Sequence, residues 1–79
     1  MKRNKGEIIV RILEVCLLGA SKTVVVYGSN LNSRTVSHYL DSLMKSGLIA
    51  TIDGSPRKYT TTDKGKELLA LIEKASGFF

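Results

Sequence analysis

The stretch Ser21-Lys22-Thr23-Val24-Val25-Val26-Tyr27-Gly28-Ser29-Asn30 can be read two ways. Thr23 to Tyr27 is a β-branched run, and by propensity alone it is a strand. Yet Ser21 is a good helix cap, and Gly28-Ser29-Asn30 is a good helix stop or turn. The segments on either side decide between the two.

On the C-terminal side, Asn32 to Ser46 carries the cleanest helical pattern in the chain. Asn32 or Ser33 caps it. Val36, Tyr39, Leu40, Leu43 and Met44 fall on one arc of about 140° at the helical period. Arg34, Ser37, His38, Asp41, Ser42 and Lys45 fall opposite, and Gly47 stops the helix. Leu48 to Thr61 then reads as a hairpin. Leu48-Ile49-Ala50-Thr51-Ile52 and Arg57-Lys58-Tyr59-Thr60-Thr61 are its strands, joined by the turn cluster Asp53-Gly54-Ser55-Pro56. Thr62 caps a last helix from about Asp63 to Ser76, followed by Gly77-Phe78-Phe79.

On the N-terminal side, a helix is expected from about Lys5 to Leu18, with Asn4 and Glu7 forming a capping box and Gly19 as the stop. Ile8, Ile9, Ile12, Leu13, Cys16 and Leu17 follow the helical period, and Glu7, Arg11 and Glu14 form a narrow charged stripe. Those charges interrupt what would otherwise resemble a signal core after the basic start Lys2-Arg3-Asn4-Lys5. No stretch reaches the roughly 18 uninterrupted apolar residues needed to cross a bilayer. The expectation is a cytoplasmic protein with no membrane partner, which suits a lone unpaired thiol.

Helix, ambiguous segment, turn, helix, hairpin, helix is the order of a winged helix-turn-helix. In that frame residues 22–29 form the first helix of the turn motif, and tertiary context overrides the strand propensity. The expected fold is mainly α with a small β-hairpin, in the order α-α-α-β-β-α, as a single domain over residues 1–79. Residues 1–5 are a basic arm, and residues 62–79 are a dimerisation helix and tail.

Composition narrows the function. In 79 residues, 12 Lys and Arg outweigh 7 Asp and Glu, giving a formal charge of +5 that favours an anionic partner. A chain this short buries only about 60–65% of its unfolded surface, so its core gains from efficient helix packing or from a partner chain. One Cys and one His cannot build a zinc module. No phosphate loop, dinucleotide fingerprint or paired metal ligands are present, and no Ser-His-Asp set surrounds a plausible pocket. The reading is a binding module rather than an enzyme, with no cofactor and no evident small-molecule ligand. Cys16, in the middle of the first helix's apolar arc, is a core residue.

Thr23, Tyr27, Asn30 and Leu31, then Tyr39, Leu40 and Leu43, then Gly47-Leu48-Ile49, and finally Tyr59 and Thr62-Asp63-Lys64-Gly65 follow one another in a distinctive order. In these the chain resembles the small archaeal winged-helix proteins of the ten-kilodalton chromatin-protein type. It also resembles archaeal transcription regulators built on the same domain. The resemblance spans roughly residues 7 to 75. It implies a DNA-binding dimer paired through the last helix as a coiled coil. Here the last helix is about 14 residues, or roughly 21 Å, which is short for a long antiparallel coiled coil.

A recognition helix keeps one face packed and offers the other to base edges. Ser33, Arg34, Ser37 and His38 occupy the second face. Arg34 has the geometry to make two hydrogen bonds to guanine, and the Ser and His side chains to contact bases or phosphates. Thr35 lies to the side, as a cap or a phosphate contact. Asp41 is expected to pair with His38, Lys45 or a neighbouring basic side chain. Arg57 and Lys58, at the tip of the hairpin, suit the backbone or minor groove. Lys22 suits a phosphate. Lys2, Arg3 and Lys5 either follow the DNA backbone or merely solubilise the chain, whereas Lys64 and Lys66 are solvated. Leu68, Leu71, Ile72 and Ala75, with Phe78 and Phe79, supply the apolar surface for a homodimer.

The leading functional expectation is a dimeric transcriptional regulator that binds double-stranded DNA, with helix 32–46 in the major groove and wing 53–58 on the backbone or minor groove. A chromatin protein of low sequence specificity and a protein-protein interaction module are the alternatives.

Overall fold

The computed structural model of the chain describes residues 4–76, the side chain of residue 76 excepted. Asn4 opens the first helix, α1 (Lys5–Val15), by accepting the Glu7 amide on its side-chain oxygen at 2.8 Å. The Glu7 carboxylate accepts the Asn4 side-chain amide at 3.3 Å, so the reciprocal bond comes from the Asn4 side chain and not from the backbone N–H that a capping box uses.

The helix ends at Val15, three residues short of the expected Leu18. The cause lies far along the chain, at Thr61. Thr61 donates its hydroxyl to the Leu13 carbonyl at 2.7 Å and its backbone N–H to the Cys16 carbonyl at 3.0 Å. These bonds satisfy carbonyls that a longer helix would have used internally. Leu17 and Leu18 then leave the helical face, and Leu18 is fully exposed.

Ala20 and Ser21 form a two-residue strand, β1, which the sequence pattern does not announce. From there the Val run coils into α2 (Lys22–Ser29), with Ser21 as its cap. Val25 and Ser29, one turn apart, are both buried, and the Ser29 hydroxyl donates to the Val25 carbonyl at 2.6 Å. Asn30, at φ 57°, turns the chain out of the helix. The helix 22–29 reading therefore holds, and the strand reading fails because α2 packs on α1. A Cβ on Gly28 would stand 2.8 Å from a Val15 methyl carbon, so the two helices meet there backbone against side chain.

α3 (Ser33–Lys45) is capped by Asn32, whose side chain accepts the Thr35 amide at 2.8 Å. Val36, Leu40 and Leu43 are buried, as the periodicity predicts. Gly47, at φ 75°, closes the helix. Leu48 donates to the Leu43 carbonyl at 2.9 Å and Gly47 to the Met44 carbonyl at 3.0 Å, the paired bonds of a glycine C-cap.

β2 (Ile49–Ile52) and β3 (Lys58–Thr61) form the hairpin, and β1 joins it on the far side of β3. The sheet is antiparallel in the order β1-β3-β2. Lys58 is paired with both Ser21 and Ile52. α4 (Asp63–Ser76) completes the fold. The Thr62 hydroxyl accepts the Gly65 amide at 3.2 Å and donates to the Gly47 carbonyl at 2.6 Å, which fastens the start of α4 to the end of α3.

One core joins all the helices. It contains Ile12, Leu13, Cys16, Ala20, Val25, Val36, Leu40, Leu43, Ile49 and Leu69. Burial pushes the Cys16 thiol up to about 11. A raised value means that the folded chain holds the proton more tightly than the unfolded one. The stabilisation is therefore complete below about pH 8.5 and is lost as the pH rises towards 11. Between pH 8 and 11 the parent is expected to lose about 2–3 kcal/mol more than Cys16→Ala, as read by denaturant titration.

Candidate nucleic-acid interface

α3 divides cleanly. Its buried face belongs to the core, which leaves Ser33, Arg34 and His38 exposed and Thr35 and Ser37 half-buried on the outer flank. The division follows from sequence, because apolar residues at helical spacing can face only one side.

Arg57 and Lys58 are both exposed on the wing. Lys58 is also the outermost residue of β3 in register with Ser21, so the strand pairing brings it beside the residue preceding Lys22. Nothing in the sequence announced this link, since β1 is two residues long and carries no alternation. Among the described residues, none of Lys22, Ser33, Arg34, Ser37, His38, Arg57 and Lys58 commits its side chain to a hydrogen bond or ion pair. Their donors are open to a partner.

Three expectations change. Asp41 is exposed and forms no ion pair with His38 or Lys45 among the described residues. Between exposed side chains the attraction is too weak to hold two flexible chains in one geometry. Lys64, expected to be solvated, donates its Nζ to the Ser46 carbonyl at 2.8 Å, where a cation also suits the negative end of α3. Arg11, read only as part of a charged stripe, donates its Nε to the Gly28 carbonyl at 2.8 Å and so braces the end of α2, just before the turn into α3.

On α4, Leu68 and Ile72 are half-buried against their own domain. Ala75 is exposed, and Leu71 is 64% exposed. Lys2, Arg3, Phe78 and Phe79 lie outside the described residues. Among the described residues no cluster of His, Cys, Asp and Glu could hold a metal ion, and no helix is long and apolar enough to cross a membrane.

The chain has known relatives. Two uncharacterized proteins of Methanocaldococcus jannaschii are similar to it. One is 35% identical over 72 residues, covering 90% of this chain and 71% of its own length. The other is 37% identical over 75 residues, covering 94% of this chain but only 34% of that longer protein. The crystal structure of Sso10a-2, described as a DNA-binding protein from Sulfolobus solfataricus, superposes with a TM-score of 0.84 at 35% identity. It covers 96% of this chain and 81% of that one. Bordetella bronchiseptica BpsR, whose DNA binding is regulated by 6-hydroxynicotinic acid, shares the fold alone. Its TM-score is 0.76 at 19% identity, over 96% of this chain and 56% of BpsR. A winged helix-turn-helix family model matches residues 2–77. With α2 and α3 as the turn motif and β2–β3 as the wing, the chain belongs to the winged helix-turn-helix family.

Proposed function

We propose that the protein binds double-stranded DNA, with α3 in the major groove and the wing, residues 53–58, on the backbone or minor groove. The observation that carries this reading is the outer flank of α3. Arg34, Ser33 and His38 are exposed with their donors unspent, on a helix whose other face is locked into the core. The DNA-binding description of the Sulfolobus relative supports it. Arg34 reads a guanine edge; Ser33, Ser37 and His38 contact bases or phosphates, and Thr35 the backbone. Lys22, Arg57 and Lys58 neutralise phosphates.

The working form is a dimer built on residues 62–79, a transcriptional regulator rather than a packaging protein. The exposed Leu71 and Ala75, one turn apart on α4, favour pairing. Two copies related by a two-fold axis would contact half-sites about one or more helical turns apart on one face of the duplex.

Titrating duplex binding against salt tests the reading, since a log–log slope near zero excludes phosphate-driven binding. Arg34→Ala is expected to cost about 1–3 kcal/mol on a preferred site and to flatten the preference among sequences. Arg57→Ala is expected to weaken every sequence alike and to reduce the salt slope by about 1. An affinity ratio near one between the best site and random DNA would point to the packaging role instead.

A further inference from the structure

The last carbonyls of a helix have no amide of their own helix to accept. Near the end of α2 the Asn30 amide closes on the Val26 carbonyl, and the Ser29 hydroxyl donates to Val25. The Gly28 carbonyl lies past those bonds and accepts the Arg11 Nε at 2.8 Å. At the end of α3 the Ser46 carbonyl accepts the Lys64 Nζ at 2.8 Å, beside the Gly47 carbonyl that accepts the Thr62 hydroxyl at 2.6 Å. Both helices of the turn motif are therefore closed by a cation at the negative end of the helix dipole. Each cation comes from a helix outside the motif, α1 for α2 and α4 for α3. Among the described residues, neither Arg11 nor Lys64 makes a further side-chain hydrogen bond or an ion pair. α1 also touches both motif helices. Val15 meets Gly28, and Lys5 and Ile9 line a shallow hollow of about 260 Å³ with His38, Tyr39 and Leu43 of α3.

Resting on the DNA reading of α3, we infer that Arg11 and Lys64 are positioning residues for base recognition. They touch no DNA; they fix the direction in which α3 presents Arg34 and His38. Neither side chain belongs to the core, so the fold stands without them. What the two bonds add is a fixed angle at the end of each motif helix. That angle matters because Arg34 and Ser46 are 12 positions apart on α3, or roughly 18 Å along the axis. A tilt of about 5° at one end moves the other by roughly 1.5 Å, whereas a binding constellation tolerates roughly 0.5 Å. Two hydrogen bonds to one guanine edge are lost by such a shift. A lysine or arginine on a phosphate follows it, because that contact acts mainly through charge.

The test compares full chains carrying Arg11→Met, Lys64→Met and Lys64→Arg with the parent, on a duplex selected from a random pool and on random duplex. Methionine keeps an unbranched stem and loses the donor. Each methionine variant is expected to lower the affinity ratio between selected and random duplex by about three- to tenfold. The salt slope on random duplex should stay at the parent's value, since no phosphate contact is removed. Lys64→Arg keeps a cation that can donate to Ser46 and should restore most of the ratio. Binding is read well below each variant's thermal midpoint, so that unfolded chain does not lower the affinity. A methionine variant whose slope falls by about 1 has lost a phosphate contact, which overturns the positioning role for that residue. Methionine variants that keep the parent's ratio, while Arg34→Ala flattens it, overturn the inference and leave the DNA reading standing. A parent that binds duplex without sequence preference does the same, since no base readout then needs positioning. A parent with no salt-dependent duplex binding overturns both.

Discussion

Leu40→Ala is expected to cost about 2–5 kcal/mol of folding free energy, whereas His38→Ala, two positions earlier on the same helix, should change it by less than about 0.5 kcal/mol. Leu40 is 1% exposed among the core residues; His38 stands on the outer flank. Truncating Leu40 removes the transfer free energy of its methyl groups and leaves a cavity that the surrounding helices cannot fully close. A domain of 79 residues has a total stability of about 4–12 kcal/mol, so the loss is a large share of it. At about 4–8 °C per kcal/mol, the thermal midpoint should fall by at least about 8 °C. The pair of variants tests the division of α3 on which the functional reading depends. If both cost the same, the flank carrying Arg34 and His38 is not the free face of the helix.

How far the sequence discloses this fold depends on the range of the forces that set each element. α3 is legible almost to the residue because its signals are local and agree: Asn32 as cap, apolar residues at helical spacing, Gly47 as stop. α2 is legible only through its neighbours. Its own Val run favours a strand, and it is helical because Val25 and Ser29, one turn apart, are buried together while Gly28 packs on Val15 of α1. The end of α1 is misread because the apolar pattern runs on through Leu17 and Leu18. What stops the helix is Thr61, which no local pattern connects to Leu13 and Cys16. β1 is invisible for the same reason, since two residues have no period.

The candidate site follows the same rule. The residues on the outer flank of α3 and at the wing are readable because exposure follows from periodicity and from the turn. The braces that hold α3 are not. Lys64 on Ser46 and Arg11 on Gly28 join residues 18 and 17 positions apart, and each looks from the sequence like an ordinary surface charge. The nearness of Lys5 to His38 is also a product of tertiary packing between α1 and α3.

Gly65→Ala sets helix propensity directly against packing. Gly65 lies in the first turn of α4, where propensity alone predicts that alanine stabilises the chain by up to about 1 kcal/mol. The packed structure predicts the opposite sign. A Cβ at this position would stand 2.5 Å from the Leu48 carbonyl oxygen and 2.5 Å from the Thr61 Cγ2. The Leu48 carbonyl cannot swing aside, because it accepts the Thr62 amide at 3.0 Å. Thr61 is equally fixed, with its hydroxyl and its N–H both bonded to the end of α1. α4 must therefore retreat, and that strains the Thr62 bond to Gly47 and the Lys64 bond to Ser46, which tie it to α3. Overpacking of this kind costs about 1–3 kcal/mol and more where the obstacle is backbone, so the net effect is expected to be a loss of about 2 kcal/mol or more. Denaturant unfolding of the variant reads the sign directly. A midpoint above the parent's would mean that the start of α4 is not seated against Leu48 and Thr61 as described, and that it is free to move independently of the recognition helix.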